Sequence, residues 1–260
     1  MRNTHIDRYD HVDRAVVAIG NDYPPGELLP DHAHRRAQLL YGATGVMHVV
    51  TRDGNWVVPP QRAVWIPAGV THQVRMLGVS TRSAYIEPGA ARADRHACEV
   101  VDVSPLLRQL LLEAVDMPAD YDRNGRDGAL AALLLHEVER APVLPLHIPL
   151  PRDARLAPLC RAFIAAPDAR LPPQVWADGL HMSLRTFTRY FRRQTGMAFS
   201  EWRQRACVVL ALARLAAGEP VTAIALDFGY QSPAAFSTMF RRVLGMPPTE
   251  YLRRDPERPA

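Results

Sequence analysis

Between residues 40 and 90 the apolar positions come in short runs: "GVMHVVT", "NWVVPP", "AVWIPAG", "HQVRML" and "SAYIEP". They are rich in Val, Ile and aromatic residues and are separated by Gly, Pro and the Asp53-Gly54 turn. That spacing predicts a compact antiparallel sandwich or small barrel. After residue 100 the pattern becomes helical. "SPLLRQLLLEAV" predicts a helix with Ser104 as N-cap and Pro105 at the first helical position. "GALAALLLHEVERA" (128–141) carries Leu on nearly all faces, so it must be buried, either on its own sheet or on a second subunit.

Pro142, Pro145, Pro149 and Pro151 then interrupt any regular helix, and the stretch 141–153 reads as a linker. From Arg155 onward the pattern is helical again: "RLAPLCRAFIAA", "PQVWADGL", "SLRTFTRYFRRQTG", "SEWRQRACVVLALARLAAG", "VTAIALDFG" and "SPAAFSTMFRRVLG", mostly punctuated by Gly or Pro. The expected division is residues 1–140 (barrel about 10–100, helices about 104–140), the linker, and an all-α domain over 154–260.

The helical part repeats itself. "FTRYFRRQTGM" (187–197) and "FSTMFRRVLGM" (236–246) share F-x3-F-R-R-x2-G-M. Upstream, "VWADGLHMS" matches "AIALDFGYQS" once one residue is inserted. Each copy reads as short helix, tight turn, Ser N-cap and second helix, the helix-turn-helix layout, at about 173–196 and 221–245. In the first copy Leu184, Phe187 and Phe191 fall on one face, expected to be buried, with Arg185, Thr188, Arg189 and Arg192 opposite. In the second, Phe236, Phe240 and Val243 face inward, and Ala234, Ser237, Thr238 and Arg241 outward. Arg185 and Arg189 suit guanine edges in a major groove. Arg192, Arg193, Arg241 and Arg242, later on their helices, suit phosphates. Between the copies a helix of about 17 residues, ~25 Å long, would hold two reading helices about one DNA turn (~34 Å) apart.

Charge supports that division. Residues 1–151 carry 15 Arg against 18 Asp and Glu, whereas 152–260 carry 16 Arg against 9, and the chain has no lysine. Every basic side chain is therefore a guanidinium able to fork onto phosphate or guanine, concentrated in the helical half. No apolar run reaches the ~20 residues of a membrane span, and the N-terminus is too charged for a secretory signal. A cytoplasmic protein with no membrane partner is expected. Cys98, Cys160 and Cys207 are unpaired in spacing, which argues against a disulfide framework or thiolate zinc site.

Residues 174–252, through "WA", "MSLRTFTRYFRRQTG", "EWRQR" and "LAAGEPVTAIALDFGYQSPAAFSTMFRRVLGMPPTEY", resemble the DNA-binding domain of the AraC/XylS family of bacterial transcription regulators. The resemblance implies binding to double-stranded promoter or operator DNA, with RNA polymerase as a further partner. Position by position, Arg185, Thr188 and Arg189 would read bases in the first unit, and Gln231, Ala234 and Thr238 would sit at the reading positions of the second. The wider expected DNA surface adds Ser183, Thr186, Arg192, Arg193, Ser232, Ser237, Arg241 and Arg242. Two positions depart from the family: His181 stands where the first unit's turn has Gly, and Cys207 where the linking helix often has Arg.

The N-terminal half contains G-x5-H-x-H-x3-Q-x6-G, from Gly26 through His32, His34 and Gln38 to Gly45, and P-x-G-x2-H, from Pro67 to His72. These resemble the two cupin motifs, which imply a double-stranded β-helix barrel and, overall, a multidomain α+β chain. In cupin enzymes His, His, Glu and His bind one metal. Here Gln38 replaces the Glu, and Gln61 and Met76 replace a usual Gly and Asn. If His32 and His34 lie on a strand, their rings share one face. His32, His34, Gln38 and His72 then either hold Zn, Ni or Fe or line an effector pocket through hydrogen bonds alone. Trp56, Trp65 and Tyr41 are candidates for shaping that pocket.

The leading expectation is therefore a sequence-specific regulator, not an enzyme, whose cupin domain senses a small molecule or metal. The alternatives are a metal-dependent cupin enzyme fused to a DNA-binding domain, and a constitutive DNA-binding protein whose barrel serves as a scaffold. The helices at 104–115 and 128–140 either form a homodimer interface or cover the barrel.

Overall fold

The computed structural model describes residues 1–90 and 95–253; the expected C-terminal limit at 260 lies outside them. The chain forms two compact units, one of residues 1–51 and 58–144, the other of residues 52–57 and 145–260.

The first unit is built on one long strand. Strands β1 (Val16–His32), β2 (Ala37–Gly42), β3 (Val46–Thr51), β5 (Arg62–Ile66), β6 (His72–Ile86), β7 (Glu99–Asp102) and β8 (Val143–Leu144) belong to it; β4 is introduced below. One edge of β6 pairs antiparallel with β1 over its whole length, from Val16 opposite Ile86 to His32 opposite His72. The other edge is shared: β3 pairs with residues 72–77 and β2 with residues 81–86. The order continues β2–β5–β7–β8. The sheet is larger than the run pattern predicts. β1 and β2 lie mostly before residue 40, and "HQVRML" and "SAYIEP" are two parts of a single strand. β1 escapes a pattern search because Pro24, Pro25, Gly26 and Pro30 punctuate it. Those prolines are tolerated where the register with β6 shifts, between Pro25 and Leu28 and again before His32.

Helices α1 (Pro105–Ala114) and α2 (Arg126–Arg140) pack on this sheet. Ser104 caps α1 as expected, its hydroxyl accepting from the Leu107 N–H at 3.0 Å. Leu107, Leu110 and Leu111 of α1 and Leu130, Ala131, Leu134 and Val138 of α2 join Leu39, Tyr41, Trp65 and Ala84 in the core. The leucines of α2 are therefore not all covered, since Leu133 on its outer side is 42% exposed.

The second unit is mainly helical: α3 (Leu156–Ala165), α4 (Pro173–Gly179), α5 (Leu184–Thr195), α6 (Phe199–Ala216), α7 (Val221–Asp227), α8 (Pro233–Leu244) and α9 (Pro248–Arg253). It also contains a strand pair, β4 (Gly54–Val58) with β9 (His147–Pro149), so the proline-rich stretch is not without structure. Trp56 stacks on His147 with ring centroids 6.4 Å apart, and the Arg152 guanidinium grips Asp53 at 2.7 and 2.9 Å. The core of the unit is an aromatic cluster. Trp202 of α6 is fully buried against Phe163, Trp176 and Phe191, and its indole N–H donates to the Pro149 carbonyl at 2.8 Å.

Candidate functional site

The two halves of the sequence repeat fold alike down to the turn. In α4–α5, the His181 N–H donates to the Asp178 carbonyl and the Met182 N–H to the Ala177 carbonyl, each at 2.9 Å. In α7–α8, the Gly229 N–H donates to Leu226 and the Tyr230 N–H to Ala225, also at 2.9 Å. Ser183 and Ser232 cap the second helices, accepting from Thr186 and Ala235 N–H at 3.2 Å. Both helices end in a left-handed glycine, Gly196 and Gly245. Phe187, Phe191, Phe236 and Phe240 are fully buried, as the pattern requires. Leu184 is not; it is 42% exposed in the first turn of α5, and Val243 is only partly covered.

His181 takes φ 55°, the left-handed conformation that its counterpart Gly229 takes with φ 75°. Gln61, standing where the cupin pattern has Gly, likewise has φ 60°. Both substitutions thus keep the backbone of the glycine they replace, at a conformational cost of about 1 kcal/mol each. His181→Gly should therefore raise stability by about 0.5–1 kcal/mol in denaturant unfolding, the flexibility of the unfolded chain offsetting part of the gain. Gly229→Ala should do the reverse. Besides its positive φ, a Cβ there would stand 2.4 Å from an Asp168 carboxylate oxygen and 2.9 Å from Arg170 Nε. Equal stability for His181→Gly and wild type would show that His181 makes compensating contacts.

The outward faces carry the predicted residues. Ser183, Arg185, Thr186, Thr188, Arg189, Arg192, Arg193, Gln231, Ala234, Thr238, Arg241 and Arg242 are exposed, and Ser232 and Ser237 half-buried. Several hydroxyls are already committed: Ser183 and Ser232 to capping, and Thr188 to the Leu184 carbonyl at 2.9 Å. Among the described residues, Arg185, Arg189, Arg192, Arg241 and Arg242 enter no ion pair, while Arg193 lies over the Tyr190 ring at 5.9 Å. Several other guanidiniums in this unit are occupied internally, although among the described residues the exposed Arg161 is not. Arg170 pairs with Asp168, and Arg214 with Glu219 and Asp227. Arg155 donates to the Leu180 carbonyl just before the first turn. Cys207 is buried, with its thiol pushed up to about 11 by burial, and it makes no part of the outer surface. Cys160 is similarly buried, its thiol pushed up to about 12.

The second site is in the sheet unit. His32 ends β1 and faces His72, the first residue of β6, in direct register. His34 lies two residues beyond the strand, so the alternation expected for H-x-H does not place it. Its loop is fixed by other means. The Gly69 N–H donates to the His34 carbonyl at 2.8 Å from a turn that holds Gly69 at φ 74°. Arg35 and Arg36 both reach Glu87 at 3.0 Å, and the buried Arg36 guanidinium also donates to the carbonyls of Val12 and Arg14. The sequence gives no sign that these neighbours of the histidine motif act as its anchor.

The three rings converge, with centroids 4.2 Å apart for His32 and His72, 4.9 Å for His32 and His34, and 5.5 Å for His34 and His72. One ring nitrogen from each lies within 4.8 Å of the others. Nδ1 of His32 donates to the Pro30 carbonyl at 2.7 Å and Nδ1 of His72 to the Val70 carbonyl at 2.9 Å, which leaves both Nε2 atoms with lone pairs. Gln38 lies opposite Tyr85 in register, and its amide donates to the Tyr85 hydroxyl at 3.1 Å and the Ser83 hydroxyl at 3.2 Å. His34 Nδ1, His72 Nε2 and Gln38 Oε1 are buried without a hydrogen-bond partner. Buried polar atoms of this kind are ordinarily met by water, an ion or a ligand.

A cavity of about 250 Å³ adjoins the rings, lined by His32, His34, Gln38, Tyr23, Tyr85 and Met76 among others. Trp65 and Tyr41 belong to the apolar core and Trp56 to the β4–β9 pair, so none of the three shapes it.

Burial, helped by the nearby His32 and His72, lowers His34 from 6.5 to about 4. Burial also lowers His72. A depressed folded-state value means that the unfolded chain binds more protons between these limits, so the stability present above pH 6.5 is lost as pH falls toward 4. Metal-free wild type should lose more thermal stability between pH 7 and pH 5 than His34→Gln. Parallel losses would show that His34 takes up protons freely in the folded state.

Paired helix-turn-helix units in one unit and a sheet with clustered histidines in the other mark a DNA-binding protein with a second, sheet-built domain. The family models agree: a helix-turn-helix domain matches residues 176–254 and a cupin domain residues 22–82. The chain is 31% identical over 226 residues to the HTH-type transcriptional regulator NimR of Escherichia coli strain K12, covering 86% of this chain and 82% of that protein. The HTH-type transcriptional regulator RipA of Corynebacterium glutamicum is 32% identical over 115 residues, 44% of this chain and 33% of that one. Among solved structures, the DNA-binding domain of AdpA in complex with a target DNA is 30% identical, covering 39% of this chain and 93% of that one, with a TM-score of 0.37. The chain belongs to the AraC/XylS family of HTH-type transcription regulators. It is a DNA-binding regulator that carries a cupin sensor domain.

Proposed function

We propose that this regulator reads adjacent major-groove segments with α5 and α8, and that a ligand or metal at the three-histidine pocket sets its activity. The observation that carries the DNA reading is the matched pair of turns presenting arginines without internal carboxylate partners. Unpaired guanidiniums on an outward helix face need no ion pair broken before they meet phosphate or guanine. Arg185 and Arg189, in the first turns of α5, take the base edges, while Arg192, Arg193, Arg241 and Arg242 hold phosphates. The second helix offers Gln231, Ala234, Ser237 and Thr238, which suit thymine-methyl and positioning contacts. The histidines fit a transition-metal ion through His32, His34 and His72, with the Gln38 amide oxygen as a neutral neighbour. Bound there, a Zn, Ni or Fe ion would supply a Lewis-acidic centre with open positions toward the cavity. Binding rather than turnover suits a pocket whose only carboxylate among its lining residues is the exposed Asp7.

The test is a gel-shift titration of the full chain on DNA upstream of its own gene, at modest salt, with and without chelator. Site-selective binding whose affinity changes with metal is expected. No selective binding in any condition would overturn the regulator reading, and selective binding indifferent to chelator would remove the metal from it.

A further inference from the structure

The donor set of the histidine pocket has an unusual charge. Imidazole binds a metal as a neutral ligand, and the position where the cupin pattern has a Glu carries Gln38, also neutral. A divalent ion among His32, His34 and His72 would therefore keep its full double charge. Its surroundings offset it only in part, because the carboxylates that act on these imidazoles, Asp7 on His34 and Asp31 on His72, are both exposed to water. His72 and Gln38 are buried, and among the cavity-lining residues the one carboxylate, Asp7, is exposed and outside the histidine cluster. A dication in a partly dry site without a buried counter-charge is costly, so an anion is drawn to its open positions.

The adjoining space says what else that anion carries. The cavity of about 250 Å³ has apolar walls in Leu40, Val74 and Met76 and hydroxyls from Tyr23 and Tyr85. It is too large for a lone halide and lacks the arginines that would hold a phosphate. The geometry points to a small organic carboxylate as the effector, bound to a metal ion on the three histidines and dependent on Gln38 being uncharged. This rests on the metal reading of the pocket given above.

Gln38→Glu is the decisive variant. It adds the missing negative charge in almost the same shape. Its two present acceptors are the hydroxyls of Ser83 and Tyr85, which can turn and donate to a carboxylate instead. Co(II) binding to the full chain is followed by its visible absorption bands, and then acetate, benzoate and the matching amides are titrated in, with calorimetry in parallel. Carboxylates are expected to shift the Co(II) bands of the wild type and to bind only when metal is present, while the neutral amides do neither. Gln38→Glu should bind Co(II) about tenfold more tightly or better and lose about tenfold or more in carboxylate affinity.

Co(II) failing to bind wild type, or binding equally to His32→Ala, would overturn the metal reading and this inference with it. Co(II) binding with no carboxylate response, or with amides responding equally, would overturn this inference alone. The wild-type dependence of carboxylate binding on metal decides the matter even if Gln38→Glu fails to fold.

Discussion

Trp202→Ala should remove about 3–5 kcal/mol from the stability of the helical unit, followed by circular dichroism at increasing denaturant. Trp202 is fully buried and lies at the point where α3, α4, α5 and α6 meet, with rings 5.5 Å away at Phe163, 5.6 Å at Phe191 and 6.1 Å at Trp176. Truncation would leave a cavity lined by rigid aromatic rings, which close up less readily than aliphatic side chains. It would also strand the Pro149 carbonyl, which accepts the indole N–H at 2.8 Å, and so release β9 from α6. Trp202→Phe separates the two causes, because it keeps most of the packing and removes only the hydrogen bond. A loss below about 1 kcal/mol for Trp202→Ala would mean that the aromatic cluster repacks around the gap.

The second large effect concerns DNA. Arg189→Ala should erase base preference at one operator position, worth about 1–3 kcal/mol, while affinity for unrelated sequence changes little. Arg192→Ala, one turn of helix further along, should weaken all sequences alike and reduce the salt dependence of binding by about one ion. The contrast rests on placement. Both guanidiniums are exposed and free of ion pairs among the described residues, but Arg189 lies nearer the capped N-terminus of α5 and Arg192 in its last turn. Competition binding against a panel of single-base operator variants distinguishes them. Uniform weakening by Arg189→Ala would move that residue from base to phosphate.

The helical half was nearly all legible in the sequence because its signals are local: phenylalanines at helical spacing, a serine before each second helix and a glycine after it. His181 obscured one turn, and only its φ of 55° shows that the backbone of the missing glycine is retained. Leu184 misled for a different reason. Helical spacing places it with Phe187 and Phe191, yet it sits in the first turn of α5 and stays exposed.

The sheet was harder to read because its order is set by non-local pairing. Nothing near residue 16 reveals that a strand interrupted by three prolines will pair along the whole of β6. The histidine motif picked out three residues whose rings converge, but not the cause of their convergence. That cause is the pairing of His32 with His72 across two distant strands, and the anchoring of the next loop by Arg36 and Glu87.

The two capped helices share a scaffold but not an outer face: α5 carries Arg185 and Arg189 where α8 offers Ala234 and Thr238. On the proposed reading, a site turned end for end presents the wrong bases to each helix. The operator of one chain is then a sentence with a direction rather than a palindrome. Inverting it in place, with every base kept, would reverse the heading of the bound protein and leave whatever it contacts along the promoter on the opposite side.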